Sequence, residues 1–172
     1  MNKILFSFLI ILIVSCQKKT VSELRFHENL ELVNTGEGQI KPCLHCQKKL
    51  VAYFGMNNTR SLTYFQMTLK TFKKIPSLYP DLNVIYVFGG KNVSKGLDQT
   101  FLEEFLLKHE VPFAVLYDEE NTFFDLNNLQ VFPYELNDIQ IYLVDDQKVV
   151  ESAEPGVPEL FDKQVKQFLS IN

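Results

Sequence analysis

Basic charge is scarce in this chain and nowhere gathered. Lys and Arg number 17 against 21 Asp and Glu, a net charge of −4 over 172 residues. The lysine pairs Lys18-Lys19, Lys48-Lys49 and Lys73-Lys74 stand far apart and read as solvated faces. No stripe forms that could follow a phosphate backbone, so nucleic acid is not an expected partner. Histidines are few. His27, His45 and His109 stand singly, and a structural zinc site usually takes four ligands, so no metal is expected. Gln47 occupies the place where covalent haem attachment would need a histidine. Gly89-Gly90 ends an apolar run without a phosphate-cradling fingerprint after it, and no Ser/His/Asp ordering stands out. No cofactor is expected. Beyond the first residues, no apolar run approaches the roughly 20 residues that span a bilayer.

What is present begins at the start of the chain. Met1-Asn2-Lys3 is a short basic opening, Ile4 to Val14 is almost unbroken apolar sequence, and Ser15-Cys16 follows. That order is an export signal, too short for a membrane span. Ile13-Val14-Ser15-Cys16 resembles the lipobox of bacterial lipoproteins. The resemblance implies cleavage before Cys16, acylation of its thiol and a membrane contact made only through the lipid. Each buried methylene then contributes about 0.8 kcal/mol, and two chains anchor durably. An ordinary secretory signal that ends near a cysteine is the alternative. Gln17, in place of a retention aspartate, points to the outer membrane of the envelope. The expected organisation is a signal peptide over 1–15, a tether and N-terminal extension over 16–40, and one domain over 41–172.

Glu23 to Val33 fits either a helix or a short strand, and Asn34 to Gly38 is a turn-rich break. From Leu50 the pattern sharpens. Leu50-Val51-Ala52-Tyr53-Phe54, stopped by Gly55, predicts a strand buried on both faces. Leu62, Phe65, Leu69 and Phe72 recur at helical steps, ahead of Pro76 and Pro80. Val84 to Phe88 predicts a second strand, Leu97 to Leu106 a second helix, and Phe113 to Tyr117 a third strand. Ile139–Val144 and Lys148–Glu151 predict a hairpin turning at Asp145-Asp146-Gln147. Leu160, Phe161, Val165, Phe168 and Leu169 predict a closing helix. Alternating elements imply parallel pairing through right-handed crossovers, with helices over a mixed sheet.

Three phrases in this order carry a family likeness. Val111-Pro112-Phe113-Ala114-Val115-Leu116-Tyr117-Asp118, Ile141 to Val150, and Leu50 to Gly55 with its following loop and helix resemble the redoxin branch of the thioredoxin-like family, used by exported thiol–disulfide proteins. The resemblance covers about Leu50 to Leu169. It implies an α/β, three-layer, thioredoxin-like fold, a mixed central sheet with helices on both faces. It also implies a Cys-x-x-Cys at the start of the first helix, where unpaired N–H groups stabilise a thiolate, and a cis-proline before the hairpin. This sequence departs at both places. The matching positions, about Thr59 and Leu62, hold no thiol. No proline stands at Ile139, and the nearest upstream is Pro133.

A Cys-x-x-Cys does occur, at Cys43-Leu44-His45-Cys46, ahead of the first strong strand instead of after it. Its inner residues resemble the Cys-x-His-Cys pattern of exported disulfide oxidoreductases, in which the histidine stabilises the reactive thiolate. A small structural disulfide stapling the entry to the strand is the other reading. A third takes Gln47 to Phe54 as a helix with the dithiol at its N-terminus. His109 sits near a helix end, and Glu119-Glu120 and Asp145-Asp146 fit a solvated loop and a turn. The expectation drawn from the missing landmarks is a redox-silent binding or scaffold module, partnered by the membrane through Cys16 and by an envelope protein. The alternative is a thiol–disulfide oxidoreductase using Cys43 and Cys46, tuned by His45.

Overall fold

The computed structural model describes residues 20–131 and 138–170. The signal segment, the lipobox with Cys16, and Pro133 lie outside the described residues. A six-stranded sheet organises the rest. Its strands are β1 (Glu31–Val33), β2 (Lys48–Gly55), β3 (Asn83–Gly89), β4 (Val115–Asp118), β5 (Ile139–Asp145) and β6 (Lys148–Ser152), laid side by side as β1-β4-β3-β2-β5-β6. β2 is the central strand. It runs parallel to β3, from Lys49 opposite Asn83 to Gly55 opposite Gly89, and antiparallel to β5. β3 and β4 are parallel, β5 and β6 form the expected hairpin, and β1 closes the far edge antiparallel to β4. The hairpin turns with Asp146 at φ 55°, a conformation aspartate tolerates better than most residues.

Alternation along β2 divides the core. Leu50, Ala52 and Phe54 face one side, Val51 and Tyr53 the other. The helices are α1 (Arg60–Phe72), α2 (Ile75–Leu78), α3 (Gln99–Lys108), α4 (Thr122–Leu126) and α5 (Pro158–Leu169). Successive steps from β2 to β3 to β4 move the same way across the sheet. Right-handed crossovers therefore carry α1 and α3 to the same face, and α5 joins them there. Phe65 of α1 is the hub of that face, with ring centroids 5.2 Å from Phe54, 5.3 Å from Phe88 and 5.5 Å from Tyr86. Asp98 caps α3 by accepting from the Phe101 amide at 3.0 Å.

The second face is covered by α4, through Phe123, and by residues 21–30 of the chain, through Val21, Leu24, Phe26 and Leu30. Glu23 to Val33, open between helix and strand in the sequence, is neither for most of its length. It is an extended strap. Glu23 bridges to Lys148 at the β6 edge, where the Leu24 amide donates to Gln147 O and the Val149 amide to Ser22 O, both at 2.8 Å. Leu24 and Phe26 then point into the face at the two-residue period of extended backbone. Asn127 clamps the strap, accepting from the Arg25 amide at 2.7 Å and donating to Arg25 O at 3.0 Å. The strap ends at the opposite edge as β1. The helical alternative for Gln47 to Phe54 is excluded by β2 itself.

Candidate functional site

The sheet has two poles, and they hold different chemistry. At the C-terminal ends of β2, β3 and β4 lies the loop Met56–Thr59, which leads into α1. No thiol is there. Leu62 is a core residue of α1, and Thr59, at the N-cap, makes no side-chain cap bond. Amides and hydroxyls knit the loop shut instead. The Gly55 amide donates to Asp138 O at 2.7 Å and the Met56 amide to Gly89 O at 2.7 Å. Ser61 Oγ donates to Gly55 O, Asn58 Nδ2 to Asp138 Oδ2, and Asn92 Nδ2 to Asn57 O at 2.7 Å. Below the loop, Tyr53 Oη donates to Asn121 Oδ1 at 2.7 Å, and burial pushes the Tyr53 hydroxyl far above its ordinary range. No cis peptide bond occurs among the described residues, Ile139 included.

The thiols lie at the other pole. Cys43 and Cys46 are joined as a disulfide, with Cα atoms 5.5 Å apart. Both are half-buried, and His45 between them is exposed. Cys46 precedes β2 by two residues, whereas α1 begins five residues after its end. Seven strand steps of about 3.3 Å separate the two ends, so roughly 23 Å of sheet lies between the disulfide and the first turn of α1. Leu44 packs on the second face with the strap, which fixes the loop on that side of the sheet.

Sequence reasoning missed one residue here. Lys48-Lys49 was expected on a solvated face, but the strand's alternation sends the two side chains apart. Lys48 Nζ reaches Asp145 Oδ2 at 2.8 Å near the surface. Lys49, on the side of Val51 and Tyr53, is only 2% exposed. Its Nζ donates to Cys46 O at 2.7 Å and to Leu44 O at 3.4 Å, so a cation sits directly under the Cys-x-x-Cys loop. Burial pushes the Lys49 amine down, opposed by the charges of Asp146 and Asp145. The signal was available: Lys49 adjoins an unbroken apolar run, and its parity is that of Val51. The remaining candidates are ordinary. His109 closes α3, its ring 4.6 Å from Phe105, and Lys91 pairs with Glu119 at 2.8 Å and Glu120 at 3.3 Å.

Solved structures match the fold. A thioredoxin-like protein in its oxidised form superposes with a TM-score of 0.56 over 88% of this chain and 98% of its own, at 14% identity. The chain has a thioredoxin-like fold. The thioredoxin domain of a thiol–disulfide oxidoreductase from Bacteroides vulgatus superposes with a TM-score of 0.52 over 73% of this chain and 81% of its own, at 12% identity. No family model matches the sequence, and no curated protein does. The Cys43–Cys46 pair, at disulfide distance in that fold, corrects the expectation of a redox-silent binding or scaffold module. That expectation rested on empty positions at α1. The Cys43–Cys46 pair is closed as a disulfide at the opposite pole, so a Cys-x-x-Cys centre is present away from the α1 positions.

Proposed function

We propose that the protein is a thiol–disulfide oxidoreductase whose working pair is Cys43 and Cys46. The observation that carries this reading is the closed disulfide in a two-residue loop, partly exposed at the sheet pole. A disulfide with so short a loop can open without releasing distant parts of the chain, as exchange chemistry requires. A partner's thiolate attacks one sulfur, the intramolecular bond breaks, and a mixed disulfide forms. The partner's second thiolate then resolves it. Two electrons and two protons pass from the partner dithiol to the cysteine pair, and the partner leaves as a disulfide. In the reverse direction the reduced pair opens a partner's disulfide. His45, exposed between the two cysteines, favours the thiolate when protonated.

The working place is outside the cytoplasm, with the chain held at the cell envelope, at its outer membrane, by lipid on Cys16. The signal-like start and the lipobox support this, and an oxidising compartment suits a standing disulfide. Insulin reduction driven by dithiothreitol tests the activity, with Cys43→Ser/Cys46→Ser as the control. Turnover by the wild type and none by the double variant is expected. Equal rates for the two proteins overturn the reading.

A further inference from the structure

The geometry points to Lys49 as the positioning residue of the Cys43–Cys46 pair, a buried ammonium that favours the Cys46 thiolate and so makes Cys46 the leaving group and Cys43 the sulfur attacked. This inference rests on the oxidoreductase reading and adds to it an order of events and a direction to the reduction equilibrium.

The asymmetry comes from backbone placement. Lys49 Nζ is bonded to the carbonyl of Cys46 itself and, more weakly, to that of Leu44. It has no such bond to Cys43. The ammonium is therefore anchored on the backbone of Cys46. Its setting amplifies the effect. The side chain is walled off from water, where the same charge acts more strongly than at a surface. Other charges nearby are Asp145 and Asp146 of the hairpin, Lys48 beside Asp145, and His45 on the loop. Asp145 is already engaged by Lys48 and by Gln47 Nε2 at 2.9 Å. No carboxylate lies within ion-pairing distance of Lys49 among the described residues, and its hydrogen bonds go to loop carbonyls.

In the exchange, an incoming thiolate from a partner dithiol bonds to Cys43 Sγ. The Cys43–Cys46 bond breaks and its electron pair leaves on Sγ of Cys46, the residue whose carbonyl the ammonium holds. The partner's second thiolate then attacks the partner sulfur of the mixed disulfide and releases Cys43 as thiolate. The two protons from the partner's thiols end on Cys43 and Cys46. A positive charge that favours one thiolate also favours the dithiol over the disulfide, so Lys49 makes the pair a stronger oxidant.

The test uses the full chain with Cys16 acylated or replaced by serine, and reads thiol ionisation by ultraviolet absorbance and the redox equilibrium against glutathione. In Lys49→Met, the acid dissociation constant of the Cys46 thiol should fall on the order of tenfold. The equilibrium should move on the order of tenfold towards the disulfide. Lys49→Gln keeps N–H donors without charge and should behave like Lys49→Met. A folded Lys49→Met protein with an unchanged Cys46 acid constant overturns the inference. So does full recovery in Lys49→Gln, which would reduce the role to hydrogen bonding. Should neither variant fold, single-cysteine proteins decide it. The thiol left in Cys43→Ser is expected to be the more acidic, and equality with Cys46→Ser overturns the assignment. None of these readouts needs turnover, so a protein inactive on insulin with an acidic Cys46 would lose the proposed activity and keep the role of Lys49.

Discussion

Tyr53 Oη donates to Asn121 Oδ1 at 2.7 Å, and that bond ties the central strand to the turn that opens α4. Asn121 holds φ at 60°, a left-handed position that asparagine accepts and alanine resists. Asn121→Ala loses the acceptor of a buried phenol and adds backbone strain. It should lower the unfolding free energy by about 2–4 kcal/mol in urea titrations. Asn121→Gly should recover about 1 kcal/mol of that, since it removes only the strain.

Gly89 meets the same pair from the neighbouring strand. A Cβ there would run into Asn121 Oδ1 and stand 2.6 Å from Tyr53 Cε2, with both groups held by their mutual bond. Gly89→Ala should therefore destabilise by about 1–3 kcal/mol, as overpacked cores do. Gly96→Ala, which meets nothing within 4 Å but carries φ 64°, should cost only the backbone term of about 1 kcal/mol. Parallel thermal melts of the two variants compare them.

Asp145 titrates with consequences for stability. Hydrogen bonds from Lys48 and Gln47 hold its carboxyl below the ordinary 3.8. The folded state thus binds the proton less readily than the unfolded chain. The resulting stabilisation is fully present above about pH 4 and fades as pH falls through the lower folded value. Asp145→Asn should be less stable than the wild type at pH 7. The gap should narrow steadily in denaturant titrations taken down to pH 3. A gap that is constant with pH would show that the ion pair contributes nothing.

The disulfide should be dispensable for folding. Closing a loop of four residues removes little chain entropy, and the chain-entropy relation gives about 2 kcal/mol. Reduced protein, or Cys43→Ser/Cys46→Ser, should keep its far-ultraviolet circular dichroism and lose only a few degrees of thermal stability. Loss of the fold on reduction would mark the bond as a structural staple.

Much of the architecture could be read because β2, β3 and β5 are short apolar runs bounded by turn residues and the three long helices each carry a helical repeat, although β2 also admitted a helical reading. Leu62, Phe65, Leu69 and Phe72 could hardly be anything but a buried helical stripe. The pattern places Phe113 in the third strand, yet β4 begins at Val115. Its neighbour Ala114 gives its amide to Ile40 O at 2.9 Å, a long-range contact that no local pattern encodes. The strap escaped for the same reason. Leu24 and Phe26 are too short a pattern to name extended chain, and what holds them is Asn127, a hundred residues away. At the candidate site, the empty places at Thr59 and Leu62 were legible. The meaning of Cys43 and Cys46 was not. Which pole a motif occupies depends on whether the residues after it form strand or helix, and Lys49 revealed its role only once strand parity put it indoors.

The strap has a geographical consequence. The chain enters the described domain at Ser22 to Leu24, against Gln147 to Val149, and the Asp146 amide of that same turn donates to Gln47 O, one residue beyond the disulfide. Doorway and sulfur pair therefore share one end of the molecule. The strap therefore begins beside Cys43 and Cys46, with the length of β2 between it and the loop that opens α1.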